Sequence, residues 1–201
     1  MCGRYHFGAD ALDEIAEIVE QADWKLELGL LDRDIHPGDM APVLVQGMEK
    51  NGKGADVLQV RWQRWGFTAP GGKGLVFNAR SESVFEKRMF RDSVDKRRAA
   101  VPVSWFYEWN KSKEKFTFTR EDSHVLFLAG CYSLYEDGEH FVILTTEANR
   151  SMIPVHSRMP LVLEKEQVKD WILNREMTEE LLGQIPGELE KSCEYEQQTL
   201  F

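Results

Sequence analysis

Apolar residues recur at helical spacing mostly towards the two ends of the chain, while the long middle alternates or runs apolar in short bursts, as strands do. Leu12, Ile15, Ala16 and Val19 stand at i, i+3, i+4 and i+7 behind Asp10, which predicts a helix with an aspartate cap. Near the other end, Val168, Trp171 and Ile172 give a helix over 165–173 its buried stripe, and Thr178 can cap a final short helix. A further helix is expected over 83–90. Strands are expected at 43–46, 56–62, 99–103, 115–119, 125–132, 140–146 and 159–163. Residues 50–54, Lys-Asn-Gly-Lys-Gly, read as the hairpin tip between the first two strands, and Asp137-Gly138 supplies a later one. The glycine-rich stretch 65–74 has neither the GxxxxGK[ST] pattern nor a strand-to-helix setting, so it has no phosphate-cradle role. The sum is an α+β chain built on a largely antiparallel sheet or barrel. No repeat, low-complexity run or linker divides it, so one domain is expected over 1–201, its motifs lying in about 2–165 and a helical segment following from 165.

Composition narrows the classes. A chain of 201 residues buries a real core, about 70% of its unfolded surface. No run approaches the roughly 18 apolar residues of a membrane span, and no signal peptide or lipidation pattern opens the chain. Three widely spaced cysteines, Cys2, Cys131 and Cys193, favour neither a disulfide framework nor a zinc site. The expectation is a cytoplasmic monomer with no membrane partner, metal or cofactor. A net charge of −9 argues against coating nucleic acid by bulk electrostatics. The charge is uneven, however. Residues 80–120 hold 11 Lys/Arg against 6 Asp/Glu, whereas 151–201 hold 5 against 10. That permits a local basic face for phosphates, or simply a solvated charged helix around 87–98.

The candidate chemistry begins at MCGRY. Removing Met1 leaves Cys2 with a thiol and a free α-amine on one carbon, and methionine aminopeptidases accept a residue as small as cysteine in second place. The amine titrates at about 7.7–8 and a free thiol at about 8.5, and the neighbouring ammonium is expected to lower the thiol further. Such an amine condenses with an aldehyde to an imine, and the thiol then closes a five-membered thiazolidine. Alternatively the thiol attacks a carbonyl with the amine as its base. Further along, Asn78 and Arg80 share one face at a strand end. Glu108 sits among aromatics in Trp105-Phe-Tyr-Glu-Trp109, surroundings that would raise a carboxyl pKa and suit an acid/base. His156 lies in a proline-bracketed loop, a setting better suited to function than to packing.

Taken in order, MCGR, WGF, NARSES, FYEW, LTTEAN and HSRMPLVL resemble the SRAP domain family, the SOS-response-associated peptidase or abasic-site processing proteins. The resemblance implies a single α+β domain around a curved, barrel-like, mainly antiparallel sheet with flanking helices. It implies covalent capture of abasic sites in single-stranded DNA through a thiazolidine with Cys2. By the same resemblance Cys2 is the crosslinking nucleophile, Asn78 holds the terminus and opened sugar, Glu108 lies beside the terminal amine, and His156 over the sugar and its phosphate. Arg4, Arg80 and Arg158 are expected to contact phosphates. Trp62, Trp65, Trp105 and Trp109 are candidates for base stacking, Trp65 foremost.

The sequence departs from the family pattern in three places. Asp34-Ile-His-Pro37 replaces an Asn-x-Ala-Pro segment, the loop after WGF lacks further tryptophans, and the C-terminus lacks a late Val/Asn segment. Two other readings stand beside the resemblance. Class II glutamine amidotransferases also begin Met-Cys-Gly, but hydrophobic residues usually follow there and an Arg-Gly-Pro-Asp stretch appears later; here Arg4 follows Gly3 and the stretch is absent. The other is a non-enzymatic nucleic-acid-binding module with an incidental cysteine, which the negative charge disfavours.

Overall fold

The computed structural model describes residues 2–9, 11–19, 32–48, 54–121 and 123–193. Asp10 and residues 50–53 of the expected hairpin tip therefore lie outside the described residues, and Gly54 opens a strand. Strand β1 (Tyr5–Phe7) leads to helix α1 (Ala11–Ile18), then β2 (Arg33–Ile35), β3 (Met40–Met48), β4 (Gly54–Trp65), β5 (Phe67–Thr68), β6 (Leu75–Val76) and β7 (Asn78–Arg80). A 3-10 turn (Ser81–Ser83) precedes helix α2 (Arg88–Lys96). Then come β8 (Arg98–Val103), β9 (Trp105–Trp109), β10 (Lys115–Thr119), β11 (Leu126–Tyr135), β12 (Gly138–Glu147), β13 (Arg158–Pro160) and β14 (Val162–Leu163). Helices α3 (Gln167–Leu173) and α4 (Thr178–Gly183) and strand β15 (Glu190–Cys193) follow.

The expected α+β class holds, and the sheet closes on itself. β12 pairs with β4, β4 with β3, β3 with β8, β8 with β11, and β11 again with β12; within this ring only β12–β4 is parallel. The apolar run of β12 is buried from His140 to Thr146, because one side faces the ring interior and the other is covered. β8, Arg-Ala-Ala-Val-Pro-Val, is buried throughout for the same reason. Gly130 sits where β11 crowds β12: a Cβ there would lie 2.7 Å from the Val142 carbonyl oxygen, so only glycine fits without a shift. A second sheet, in the order β15-β10-β9-β1-β2, grows from the first where β8 runs through Ser104 into β9.

Local differences from the sequence reading have physical causes. The helix expected over 83–90 is a 3-10 turn followed by a helix displaced to 88–96. Its buried stripe is Phe90, Ser93 and Val94, and a buried serine gives no apolar signal. Thr178 is the first helical residue rather than the cap; Met177 holds the cap position, and Thr178 Oγ1 is buried without a hydrogen-bond partner among the described residues. The segment from 165 onward, read as helical, ends in β15, which pairs with β10 through Phe116↔Cys193. Arg98, buried, ties the helices down. Its Nη1 donates to the carbonyls of Val94 (3.1 Å) and Asp95 (2.7 Å), and its Nη2 to that of Ile172 (3.3 Å), a cation at two negative helix ends.

Candidate active site

The first residues are held because they extend β1 along β9. Tyr5 pairs with Phe106 and His6 with Trp105, and Tyr107 N–H donates to the Arg4 carbonyl at 3.0 Å. This lays Cys2 alongside the inner end of β9, where Glu108 is buried with 5% exposure. From the other side β7 runs parallel to β12, with Asn78 opposite Ile143. Asn78 Nδ2 donates to the Cys2 carbonyl at 2.8 Å, and Asn78 Oδ1 is buried with no partner among the described residues. Cys2 itself is fully buried, its Sγ 3.7 Å from the Arg4 carbonyl.

His156 comes from the loop between β12 and β13, which Asn149 builds. The Asn149 carboxamide oxygen accepts from Ser151 N–H and Met152 N–H, and its Nδ2 donates to the Pro186 and Gly187 carbonyls. His156 N–H closes the turn on the Met152 carbonyl at 3.0 Å, and Arg158 N–H donates to His156 Nδ1 at 3.0 Å. A cavity of about 770 Å³ opens between this loop and the β9–β10 turn. Ile153, Pro154 and His156 line one wall; Trp109, Asn110 and Lys111 line the other. Cys2, Asn78 and Glu108 are thus brought together, and His156 stands on the cavity that starts at the residue after Glu108.

The expected DNA contacts divide. Arg80 ends β7 exposed, with no side-chain hydrogen bond or ion pair among the described residues. Arg4 lies 4.8 Å over the Tyr107 ring and gives Nε to Asp34 Oδ2 at 2.7 Å, with Nη2 on the same oxygen. Arg158 makes a two-bonded pair with Glu82, at 2.6 and 2.9 Å. Trp65 is a correction. It is fully buried, donates Nε1–H to the Phe77 carbonyl at 2.9 Å, and packs on Tyr5 and Phe141, so it cannot stack on a base. The WGF motif is structural: Gly66 turns the chain at φ +120°, a conformation other side chains rarely adopt. Trp105 is half-buried, donates to the Tyr107 hydroxyl and stacks on His6. Trp62 is half-buried on β4, and Trp109, 37% exposed, stands on the cavity.

The profile of the family described as SOS response associated peptidase (SRAP) matches residues 1–196. The chain belongs to the SRAP family. The match sets aside the amidotransferase alternative. It is 28% identical over 210 residues to the abasic site processing protein YedK of Escherichia coli, covering 96% of this chain and 86% of that protein. It is also 28% identical over 192 residues to the abasic site processing protein YoqW of Bacillus subtilis, covering 86% and 80%. A solved protein from Bacteroides thetaiotaomicron superimposes with a TM-score of 0.76 at 22% identity, over 96% of this chain and 91% of that one, and so shares the fold.

In this SRAP chain, with Met1 in place, the surroundings of the Cys2 thiol work against its ionisation. Burial, and then the Glu108 carboxylate, push the Cys2 thiol from its ordinary 9.0 up to about 12; the Arg4 backbone and then the ammonium of residue 1 pull it down by less. With Met1 in place the thiol therefore stays protonated at neutral pH; the α-ammonium that Met1 removal puts on Cys2 itself is a separate, lowering influence. Asp34, which the sequence offers only as part of the 34–37 departure from the family pattern, is the hub of the flank. It accepts from Arg4, from the Tyr107 hydroxyl at 3.1 Å and pairs with His6 Nδ1 at 3.0 Å. Partial burial raises Asp34, but the hydrogen bonds from Arg4 and His6 and the Arg4 charge hold it below the usual carboxylate value. The signal was present in the alternation of Arg4 and His6, which the antiparallel register sets beside Asp34.

Cys131 is likewise pushed by burial from 9.0 up to about 12. Below pH 9 both folded and unfolded chains keep this proton, so stability is unaffected. Between 9 and 12 the unfolded chain releases it while the folded chain does not, so stability falls as pH rises through that window. The urea midpoint is expected to decline above pH 9, and Cys131→Ala to flatten the decline. Identical slopes for the two proteins would contradict the assignment.

Proposed function

We propose that this SRAP protein covalently captures abasic sites in single-stranded DNA, using the thiol and the α-amine of Cys2 once Met1 is removed. The observation that carries the reading is Cys2 itself, with its carbonyl held by Asn78 and its thiol buried in the field of Glu108. Relatives named abasic site processing proteins, from bacteria to rat, support the substrate.

A buried thiol orders the steps, the amine acting first. An abasic sugar equilibrates between a closed hemiacetal and an open aldehyde, and a proton from His156 assists the opening. The Cys2 amine adds to the aldehyde carbon and water leaves, giving an imine; Glu108 takes the proton that the amine sheds. The thiol then adds across the C=N bond, sulfur to carbon and hydrogen to nitrogen, and a thiazolidine closes with one water lost overall. Asn78 orients the terminus. Arg80 is the arginine ready to meet a phosphate, and Trp109 is the tryptophan placed for a base on the cavity wall.

The test is incubation of the protein with an abasic single-stranded oligonucleotide and with the same strand undamaged. A heat-stable conjugate on a denaturing gel from the first alone supports the reading; none from either ends it. In the same assay His156→Ala is expected to slow capture by about 100-fold while affinity for the strand changes little. Equal loss of both would assign His156 to binding rather than catalysis.

A further inference from the structure

Two of the three arginines assigned to phosphates are already engaged by carboxylates, and the two pairs differ in kind. Arg4 converges on a single oxygen of Asp34 inside a shared network with His6 and Tyr107. Arg158 instead presents a parallel fork, Nη1 to Glu82 Oε1 at 2.6 Å and Nη2 to Oε2 at 2.9 Å. That is the two-bond geometry in which a guanidinium takes a phosphate. The halves of the pair are unequally fixed. The Arg158 side chain is 15% exposed and also donates to the Thr145 carbonyl at 2.6 Å, whereas the Glu82 side chain is 46% exposed on a 3-10 turn. A phosphate seeking the same two N–H groups must displace Glu82, and the carboxylate, held besides by its own backbone N–H, is the more exposed partner and the one that can swing away. Arg80, two residues before Glu82 and exposed, adds a second positive charge to this neighbourhood.

Resting on the DNA reading above, we propose that Glu82 is a specificity-determining residue whose carboxylate stands in for a backbone phosphate on Arg158. Intact single strands must compete with it and are held weakly, so retention at a lesion falls to the covalent bond made by Cys2. The opposite role for the same pair is a brace, in which Glu82 orients Arg158 for DNA. The two roles predict opposite signs when the charge is removed and the shape kept.

The test is fluorescence anisotropy with an undamaged single-stranded oligonucleotide across a salt series, which needs no covalent step. Wild type is compared with Glu82→Gln, with Glu86→Gln as an equal charge change nearby, and with the double variant Glu82→Gln, Arg158→Gln. Glu82→Gln is expected to bind about fivefold tighter at low salt. Its plot of log affinity against log salt should steepen by about 0.7, one more phosphate on a single strand. The double variant should lose the gain. Unchanged or weaker binding by Glu82→Gln, an equal gain from Glu86→Gln, or a gain that survives in the double variant each overturns the proposal. Capture of an abasic oligonucleotide by wild type is read in parallel. Its absence sinks the DNA reading and this proposal with it; its presence beside unimproved Glu82→Gln binding overturns this proposal alone.

Discussion

Cys2→Ala is expected to form no heat-stable conjugate with abasic single-stranded DNA. The replacement leaves the α-amine in place and removes only a buried sulfur, a change of about 1 kcal/mol in a site this small, so the fold should persist. An imine can still form, but nothing closes it into a ring, and water reverses it during heating. Borohydride should therefore trap Cys2→Ala on the DNA when added during the reaction, while the unreduced sample shows none. A heat-stable, unreduced conjugate from Cys2→Ala would mean that the bond comes from another residue.

Glu108→Gln is expected to have the next largest effect, slowing capture by about 100-fold, the low end for removal of a general base. Glutamine keeps the size of a side chain that is 5% exposed, so packing does not supply the loss. The variant also separates two roles that otherwise run together. Glu108 raises the Cys2 thiol, so removing its charge moves that thiol towards its ordinary value and makes it a better nucleophile. If thiolate attack limited the reaction, Glu108→Gln would be faster. If proton removal from the amine limits it, the variant is slower in spite of the more acidic thiol. Single-turnover rates of borohydride-trapped imine across pH distinguish these, and an unchanged rate would leave the carboxylate structural.

The helical stripe of 165–173 and the strand 115–119 were legible because their periodicity is undiluted by polar packing. The displaced α2 was not, since Ser93 occupies a core position that hydropathy reads as surface. Ring closure was legible only as a class. The β12–β4 pairing joins Phe141 to Trp65, 76 positions apart, and a period-two pattern names the buried face without naming the neighbour. In the site, residue types were legible and their surroundings were not. The six motifs pointed to Cys2, Asn78, Glu108 and His156, and the structure gathers the first three. Trp65 was misassigned because an indole signals both base stacking and core, and only the Phe77 carbonyl and the Tyr5 ring decide for core. Burial of the Cys2 thiol was illegible for the same reason: the ammonium's pull is written in the first two residues, whereas burial depends on strands far along the chain. Asp34 and Glu82 were visible only as members of motifs, because a carboxylate's importance here lies in which arginine it meets.

In the proposed capture two atoms, the sulfur and the terminal nitrogen of Cys2, act together. Intact-mass measurement of the heat-treated reaction with an abasic oligonucleotide tests it most directly, run beside a form whose N-terminal extension keeps Cys2 internal. The predicted product has the mass of the chain without Met1 plus the oligonucleotide less one water, and the extended form gives none. An equal yield of conjugate from the extended form, or no conjugate from protein whose mass shows Met1 already removed, would contradict it.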